Sequence, residues 1–216
     1  MKRPFPNTAR LCGLYVITSA PGHVSIARAA LRGGATIIQL RDFQTPREQL
    51  LEIAREVRQL TRDRAALFVV NDHLELAREV GADGLHLEWA KFGIEDARRE
   101  LGEDILLSTG VGSAERALAV QEAGADYLGV GPVYPTHSKK DAGAPIGLEG
   151  LRAIRDAVAI PIAAIGGLNE SNIGQIEAPM ACVLSALCEL ETEAAIEART
   201  RALIAAFKPE REASSF

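Results

Sequence analysis

The chain is short of four things, and each shortage excludes something. Aromatic residues are only 5% of its 216 residues. That is too few for the stacking platforms that hold single-stranded nucleic acid. There is no basic excess: Lys and Arg number 24 against 29 Asp and Glu, a net charge of −5. A general nucleic-acid or membrane-surface binder would carry the opposite balance, although a local anion site remains compatible with it. Cysteines number three, Cys12, Cys182 and Cys188, with no CxxC pair. This argues against a disulfide framework or a zinc knuckle, suits a reducing cytoplasm, and leaves the three as core residues. Long apolar runs are missing too. The longest, from Ala157 to Leu168, is broken by Pro161 and a glycine pair, and falls short of the ~18 residues of a membrane span. Lys2, Arg3 and Arg10 ahead of an apolar run from Leu11 give a faint outline of a signal peptide. That run is short and rich in strand formers (Tyr15-Val16-Ile17-Thr18), so it reads as a strand.

What is present is an ordinary globular composition, 47% hydrophobic and 25% charged, which disfavours disorder. Eight short apolar runs read as buried strands: Leu14–Ile17, Ala35–Leu40, Ala66–Val70, Gly84–Leu87, Ile105–Ser108, Tyr127–Gly131, Ile162–Ile165 and Cys182–Ala186. Helical spacing lies between them. Pro46 to Thr61 places Leu50, Ile53, Ala54, Val57 and Leu60 on one face, with Thr45 as a cap before a first-turn proline. Leu151, Ile154 and Val158 follow Leu148 at the same spacing, and Ile196, Leu203, Ile204 and Phe207 form a third face. Near-continuous apolar strands alternating with amphipathic helices imply a parallel sheet covered on its outer face. Eight strand-and-helix units imply a single (β/α)8 TIM barrel over residues 1–216, with 208–216 as a frayed polar tail. A glycine-alanine repeat supports the count: it precedes strands two, four and six at Gly34, Gly81 and Gly124. Glycine there suits the left-handed turn that ends a helix. Before strand eight the repeat is replaced by Glu177-Ala178-Pro179-Met180.

In such a barrel the segments after the strands build the site. Gln39 and Arg41 follow strand two, Asn71 and Asp72 strand three, His86 and Glu88 strand four, and Thr109 strand five. Strand six ends in Gly131-Pro132-Val133-Tyr134-Pro135-Thr136-His137-Ser138-Lys139-Lys140, strand seven in Gly166-Gly167, and Ser185 closes strand eight. Arg41, Lys139 and Lys140 supply positive charge, and Thr136, Ser138, Thr109 and Asn71 supply neutral donors. The glycine pair and the Ser185-Ala186 turn can expose backbone N–H groups to a phosphate. Asp72 either binds Mg²⁺ or caps the helix near His73. Lys139 is a phosphate ligand or a solvated loop lysine. His86 reads as packing at a strand end, and His137 and Trp89 as loop residues without special context.

These residues resemble a known set. The chain resembles the thiamine phosphate synthase family, and more broadly the superfamily it shares with the TenI-type thiazole tautomerases, from about Leu14 to Leu187. The resemblance is carried by Leu14–Thr18, Gln39-Leu40-Arg41-Asp42, Asn71-Asp72, Gly81–Leu87, Ala125–Thr136 with Ser138-Lys139-Lys140, Ala164–Gly167 and Ser185-Ala186. It implies a transferase that joins hydroxymethylpyrimidine diphosphate to a thiazole phosphate and releases diphosphate. It implies that Gln39 holds the aminopyrimidine, and that Arg41, Asn71, Ser138 and Lys139 hold the diphosphate. Of these, Arg41, Ser138 and Lys139 would carry the catalytic charge stabilisation. Thr109 takes the place of a family serine, and Thr136 would line the thiazole pocket. The backbone at Gly167, Ser185 and Ala186 would take the thiazole phosphate, and Asp72 would bind Mg²⁺. The implied partners are phosphorylated small molecules, not nucleic acid or membrane, and a homo-oligomer stays open. Two positions depart from the family pattern. Phe43 stands where a lysine is usual. Counted without gaps from Asp72, Lys91 stands where a second metal-binding aspartate is usual. Glu88 is then the nearest substitute carboxylate. A tautomerase would carry a histidine after strand five, where Ser108-Thr109-Gly110-Val111-Gly112-Ser113 has none. A non-catalytic barrel that binds thiamine phosphates is the reading from another class.

Overall fold

Strand-forming runs with no polar face must be buried on both sides, and a closed parallel barrel ringed by helices does that. The computed structural model describes residues 8–88, 93–138 and 143–208. It has β1 (Gly13–Thr18), α1 (His23–Gly33), β2 (Ile37–Leu40), α2 (Arg47–Asp63), β3 (Leu67–Asn71), α3 (Leu74–Val80), β4 (Gly84–Leu87) and α4 (Ile94–Leu101). There follow β5 (Leu106–Val111), α5 (Ala114–Glu122), β6 (Tyr127–Val130), α6 (Gly147–Ala157), β7 (Ile162–Ile165), β8 (Met180–Val183), α7 (Ser185–Cys188) and α8 (Glu193–Ala206). The eight strands pair in chain order, all parallel, and β8 closes on β1. The (β/α)8 expectation is met. Among the described residues no helix is long and apolar enough to cross a membrane.

Most strand ends shift by a residue or two from the sequence expectation, and three differences bear on the site. The eighth strand is Met180–Val183 rather than Cys182–Ala186, because its ladder to β7 ends at Cys182 and that to β1 at Val183. Leu184 then offers its carbonyl to Leu187 and Cys188, and the chain turns into α7. The fifth strand runs on to Val111, so Thr109 lies inside it rather than after it. The seventh unit has a 3₁₀ turn, Ile173–Gln175, in place of an α-helix. There Asn169 and Asn172 bond the backbone with their side chains: Asn172 Oδ1 accepts from Asn169 N at 2.8 Å and Nδ2 donates to Gly167 O at 2.9 Å. Such local bonds compete with a helix.

The glycine-alanine repeat does what glycine there suits. Gly34 and Gly81 cap α1 and α3 at φ +104° and +61°. The aspartates that follow two of the repeats brace the strand next door. Asp83 accepts from Phe68 N at 2.8 Å and pairs with Arg58 of α2; Asp126 accepts from Leu107 N at 2.7 Å and pairs with Arg98 of α4.

Alternation along the strands decides where the barrel is solid. Leu11, Ile37, Leu67, Leu106 and Met180 pack the N-terminal half of the interior. Toward the C-terminal ends the inward positions become polar or small: Gln39, Asn71, His86, Ser108, then Gly110 and Gly129.

A latch holds the segment after β2. Buried Asp42 accepts from Gln44 N (2.7 Å), Thr45 N (3.0 Å) and the Thr45 hydroxyl (2.6 Å), and pairs with His23 Nε2 at 2.9 Å. The Thr45 hydroxyl therefore serves Asp42 rather than α2, and Pro46 takes the cap position without a side-chain bond. His23 in turn meets the Thr18 hydroxyl at 2.8 Å. Burial pushes the Asp42 carboxyl up, but the bonds from Thr45, Gln44 and His23 outweigh it and hold the group well below the usual carboxylate range.

Asp126→Ala should cost about 2–4 kcal/mol in urea unfolding, because Arg98 and Leu107 N–H lose a buried partner together. Asp42→Asn should cost about 1–3 kcal/mol at pH 7. A depressed carboxyl contributes stability above its unfolded value and loses it as pH falls. The gap between wild type and Asp42→Asn should therefore shrink once pH drops below about 3.9. A gap that stays constant into acid would contradict it.

Candidate active site

The small and polar inward residues leave a cavity of about 480 Å³ at the C-terminal end of the barrel. It is deep because three facing positions are small. A Cβ on Gly110 would meet nothing within 4 Å, Gly129 lies 3.4 Å from His86 Cε1 at its Cβ position, and Ala163 stands beyond them. Tyr15, Tyr127 and Cys182 close the floor. Burial raises the Cys182 thiol far above its usual range, so it is no nucleophile at neutral pH.

The structure brings most of the sequence-nominated residues to this cavity. Gln39, Arg41, Asn71, Glu88 and Thr109 border it on one side, and Thr136, Ser138, Gly167 and Ser185 on the other. Asp72 and Ala186 are adjacent to the wall but not part of it. Lys139, Lys140, Lys91 and Trp89 lie outside the described residues, as does the tail beyond Lys208.

Gln39 is 2% exposed. Its Nε2 donates to Tyr15 Oη at 2.8 Å, and its Oε1 is buried at the cavity without a hydrogen-bond partner. An orphaned amide carbonyl is costly unless a ligand supplies the donor. Arg41 is half-buried; its guanidinium sits 4.8 Å from the centre of the Phe43 ring and 3.3 Å from Glu88 Oε1. Phe43, 46% exposed, thus supports the arginine from below as a cation–π partner.

Asp72 adopts φ +58°, a left-handed conformation that aspartate tolerates better than most residues. Its Oδ2 accepts from Asn71 Nδ2 at 2.8 Å and its Oδ1 from Glu88 N at 2.7 Å. The carboxylate ties the ends of β3 and β4 together, and α3 begins after His73, which makes no side-chain cap bond. Thr109 borders the cavity, yet strand alternation turns its hydroxyl outward onto Leu87 O at 2.6 Å.

The opposite wall is mostly backbone. Val133 N and Tyr134 N donate to Ile165 O and Gly166 O, which lays the segment after β6 along the segment after β7. No side chain fits between them. A Cβ on Gly167 would lie 2.5 Å from Pro135 O, and its φ is +65°. Thr136 Oγ1 accepts from Ser138 N at 3.3 Å. Ser185 opens α7, and Ala186 packs on the core beside it.

Sequence reasoning missed the tyrosine floor. Tyr15 lies three residues before the Thr18 end of β1 and Tyr127 opens β6, so only the phase of alternation could have singled them out. It also placed all three cysteines in the core, but Cys12 is exposed where the chain enters β1.

The chain is similar to known proteins over most of its length. A profile of thiamine monophosphate synthases matches residues 14–187. A thiamine-phosphate synthase of Methanospirillum hungatei is 44% identical over 193 residues, covering 85% of this chain and 94% of that one. One of Moorella thermoacetica is 46% identical over 180 residues, covering 83% and 86%. The solved thiamine phosphate pyrophosphorylase of Pyrococcus furiosus superposes with a TM-score of 0.84 at 39% identity, over 92% of this chain and 96% of that one. Profile, relatives and barrel agree, and the chain belongs to the thiamine monophosphate synthase family.

Proposed function

We propose that this chain is a transferase that joins hydroxymethylpyrimidine diphosphate to thiazole phosphate, giving thiamine phosphate and diphosphate. The observation that carries the reading is the cavity itself. One wall offers a buried orphan acceptor at Gln39 beside the Arg41 cation, and the other offers a glycine-lined backbone. The first suits an amino-bearing ring with an anionic arm, and the second a phosphate that approaches main-chain N–H groups.

In this reading Gln39 Oε1 accepts from the amino group of the pyrimidine. Arg41, Asn71 and Ser138, with Lys139, hold the diphosphate. Thr136 lines the thiazole pocket, and the backbone at Gly167, Ser185 and Ala186 takes the thiazole phosphate. The C–O bond breaks with its electron pair leaving on diphosphate, and the thiazole nitrogen lone pair forms the new C–N bond. No protein nucleophile is consumed. The chain's work is to stabilise the leaving group's charge and to align the nitrogen. The Arg41–Glu88 contact, already long at 3.3 Å, gives way when the guanidinium takes phosphate oxygens bidentately. Phe43 keeps the guanidinium in place while its ion partner changes.

Among the described residues no group of three or more His, Cys, Asp and Glu converges. Mg²⁺, however, commonly takes one or two carboxylates and completes its shell with substrate phosphates and water. Asp72 and Glu88, joined by the Asp72 Oδ1 bond to Glu88 N, supply such a pair. They would hold Mg²⁺, whose charge would offset that of the diphosphate.

Purified protein given both substrates and Mg²⁺ should form thiamine phosphate. Binding of thiamine phosphate with no turnover would favour a non-catalytic barrel instead. Arg41→Ala should lower kcat/KM by about 10²–10³-fold, as loss of one charge-stabilising donor does, while Arg41→Lys should recover little of it. Excess chelator should abolish turnover and Mg²⁺ restore it. Asp72→Asn should raise the Mg²⁺ concentration needed for half-maximal rate; an unchanged Mg²⁺ dependence would leave Asp72 as a brace only.

A further inference from the structure

Arg41 and Phe43 flank Asp42, and Asp42 is gripped at both its side chain and its main chain. The carboxylate meets Nε2 of His23, at the start of α1, at 2.9 Å. The carbonyl oxygen meets Nε2 of His73 at 2.7 Å. A carbonyl cannot donate, so the proton of this second bond sits on Nε2. His73 is itself anchored where β3 gives way to α3. Its N–H donates to Asn71 O at 2.8 Å, and its carbonyl accepts from Ala77 N at 2.9 Å. From there its ring crosses to the segment after β2, a bond between residues 31 positions apart. It also lies beside Phe43, with ring centres 6.3 Å apart and planes tilted by 37°. Phe43 is 46% exposed, so core packing does not fix that ring. The gripped main chain at Asp42 and the neighbouring His73 place it, and the Arg41 guanidinium rests on it at 4.8 Å.

We infer that His73 is a positioning residue for Arg41. It fixes the Asp42 carbonyl and rests against the Phe43 ring, and through that ring it holds the guanidinium at the cavity rim. The hold counts most when Arg41 leaves Glu88 for phosphate oxygens. Ordering a free arginine side chain on binding costs entropy, and a guanidinium already held over a ring has lost that freedom before the ligand arrives. The ligand served is therefore a diphosphate at the Arg41 wall, not the phosphate at the main-chain wall. This rests on the reading above, in which Arg41 takes the diphosphate.

The test measures calorimetric binding of inorganic diphosphate beside steady-state kinetics, both with Mg²⁺ present. His73→Leu should weaken diphosphate binding about tenfold and lower kcat/KM for the aminopyrimidine diphosphate about 10–10²-fold, with the KM for thiazole phosphate unchanged. His73→Gln, whose amide N–H can reach the same carbonyl, should recover most of the loss. In an Arg41→Ala background His73→Leu should have no further effect, because the two residues act as one unit. Diphosphate affinity unchanged by His73→Leu, an equal loss with and without Arg41, or a parallel rise in KM for both substrates overturns the inference. If His73→Leu does not fold, His73→Phe keeps a ring, removes the same donor and is read in the same way. NMR of the ligand-free protein supplies a readout that needs no activity. The Phe43 ring should shift the Arg41 Nε–H signal upfield relative to its place in Phe43→Leu, and His73→Leu should lose most of that shift. A shift retained in full overturns the inference even if catalysis follows the proposed route. A shift lost supports it even if neither substrate is turned over, an outcome that would fall on the activity reading alone.

Discussion

Closure of the parallel barrel is the constraint on which everything else depends. Once β8 pairs with β1, every strand has a partner on both edges and every second side chain points into one shared interior. The interior has room for only a few layers, so each inward residue either packs the barrel or opens it. Leucine, isoleucine and methionine pack the lower layers. Glycine, alanine and short polar residues open the upper ones. The cavity is thus a property of the inward sequence rather than of any inserted loop.

The same closure sorts the charged residues. Asp83 and Asp126 enter at the N-terminal mouth, where each satisfies a strand N–H and an arginine from the preceding helix. Asp42, Asp72 and Glu88 follow strand ends at the other mouth. Asp42 is fully committed to its own loop and to His23. Asp72 is shared between two strand ends, and the Glu88 carboxylate meets Arg41 at 3.3 Å. Carboxylates at equivalent depth therefore differ in how readily they can exchange their partner for a ligand.

Much of this was legible in the residues. Apolar runs located all eight strands because buried parallel strands have no polar face to disguise them, and the glycine-alanine repeat marked helix ends because the αL turn demands it. The break in the repeat before strand eight coincides with the one unit that lacks an α-helix. That replacement was not legible, since it depends on asparagine side chains bonding backbone several residues away. Rim residues were found from their position after strands. Thr109 was misplaced by the same logic, because β5 continues two residues beyond it and alternation turns its hydroxyl outward. The Tyr15–Tyr127 contact joins residues 112 positions apart, and no local pattern announces it. Phe43 is a departure from the family pattern by residue type, and its position beneath Arg41 emerges only in three dimensions.

The two walls of the cavity differ in what they are made of. One is side chain: Gln39, Arg41, Asn71 and Glu88. The other, where Gly166 and Gly167 meet the segment after β6, is main chain with no room for a Cβ. A wall of main chain has no side chain to exchange, so mutation can damage it but can hardly retune it. In this barrel the side chains that can be exchanged beside the cavity are therefore concentrated on the β2–β4 side. That is the side on which this chain carries Phe43.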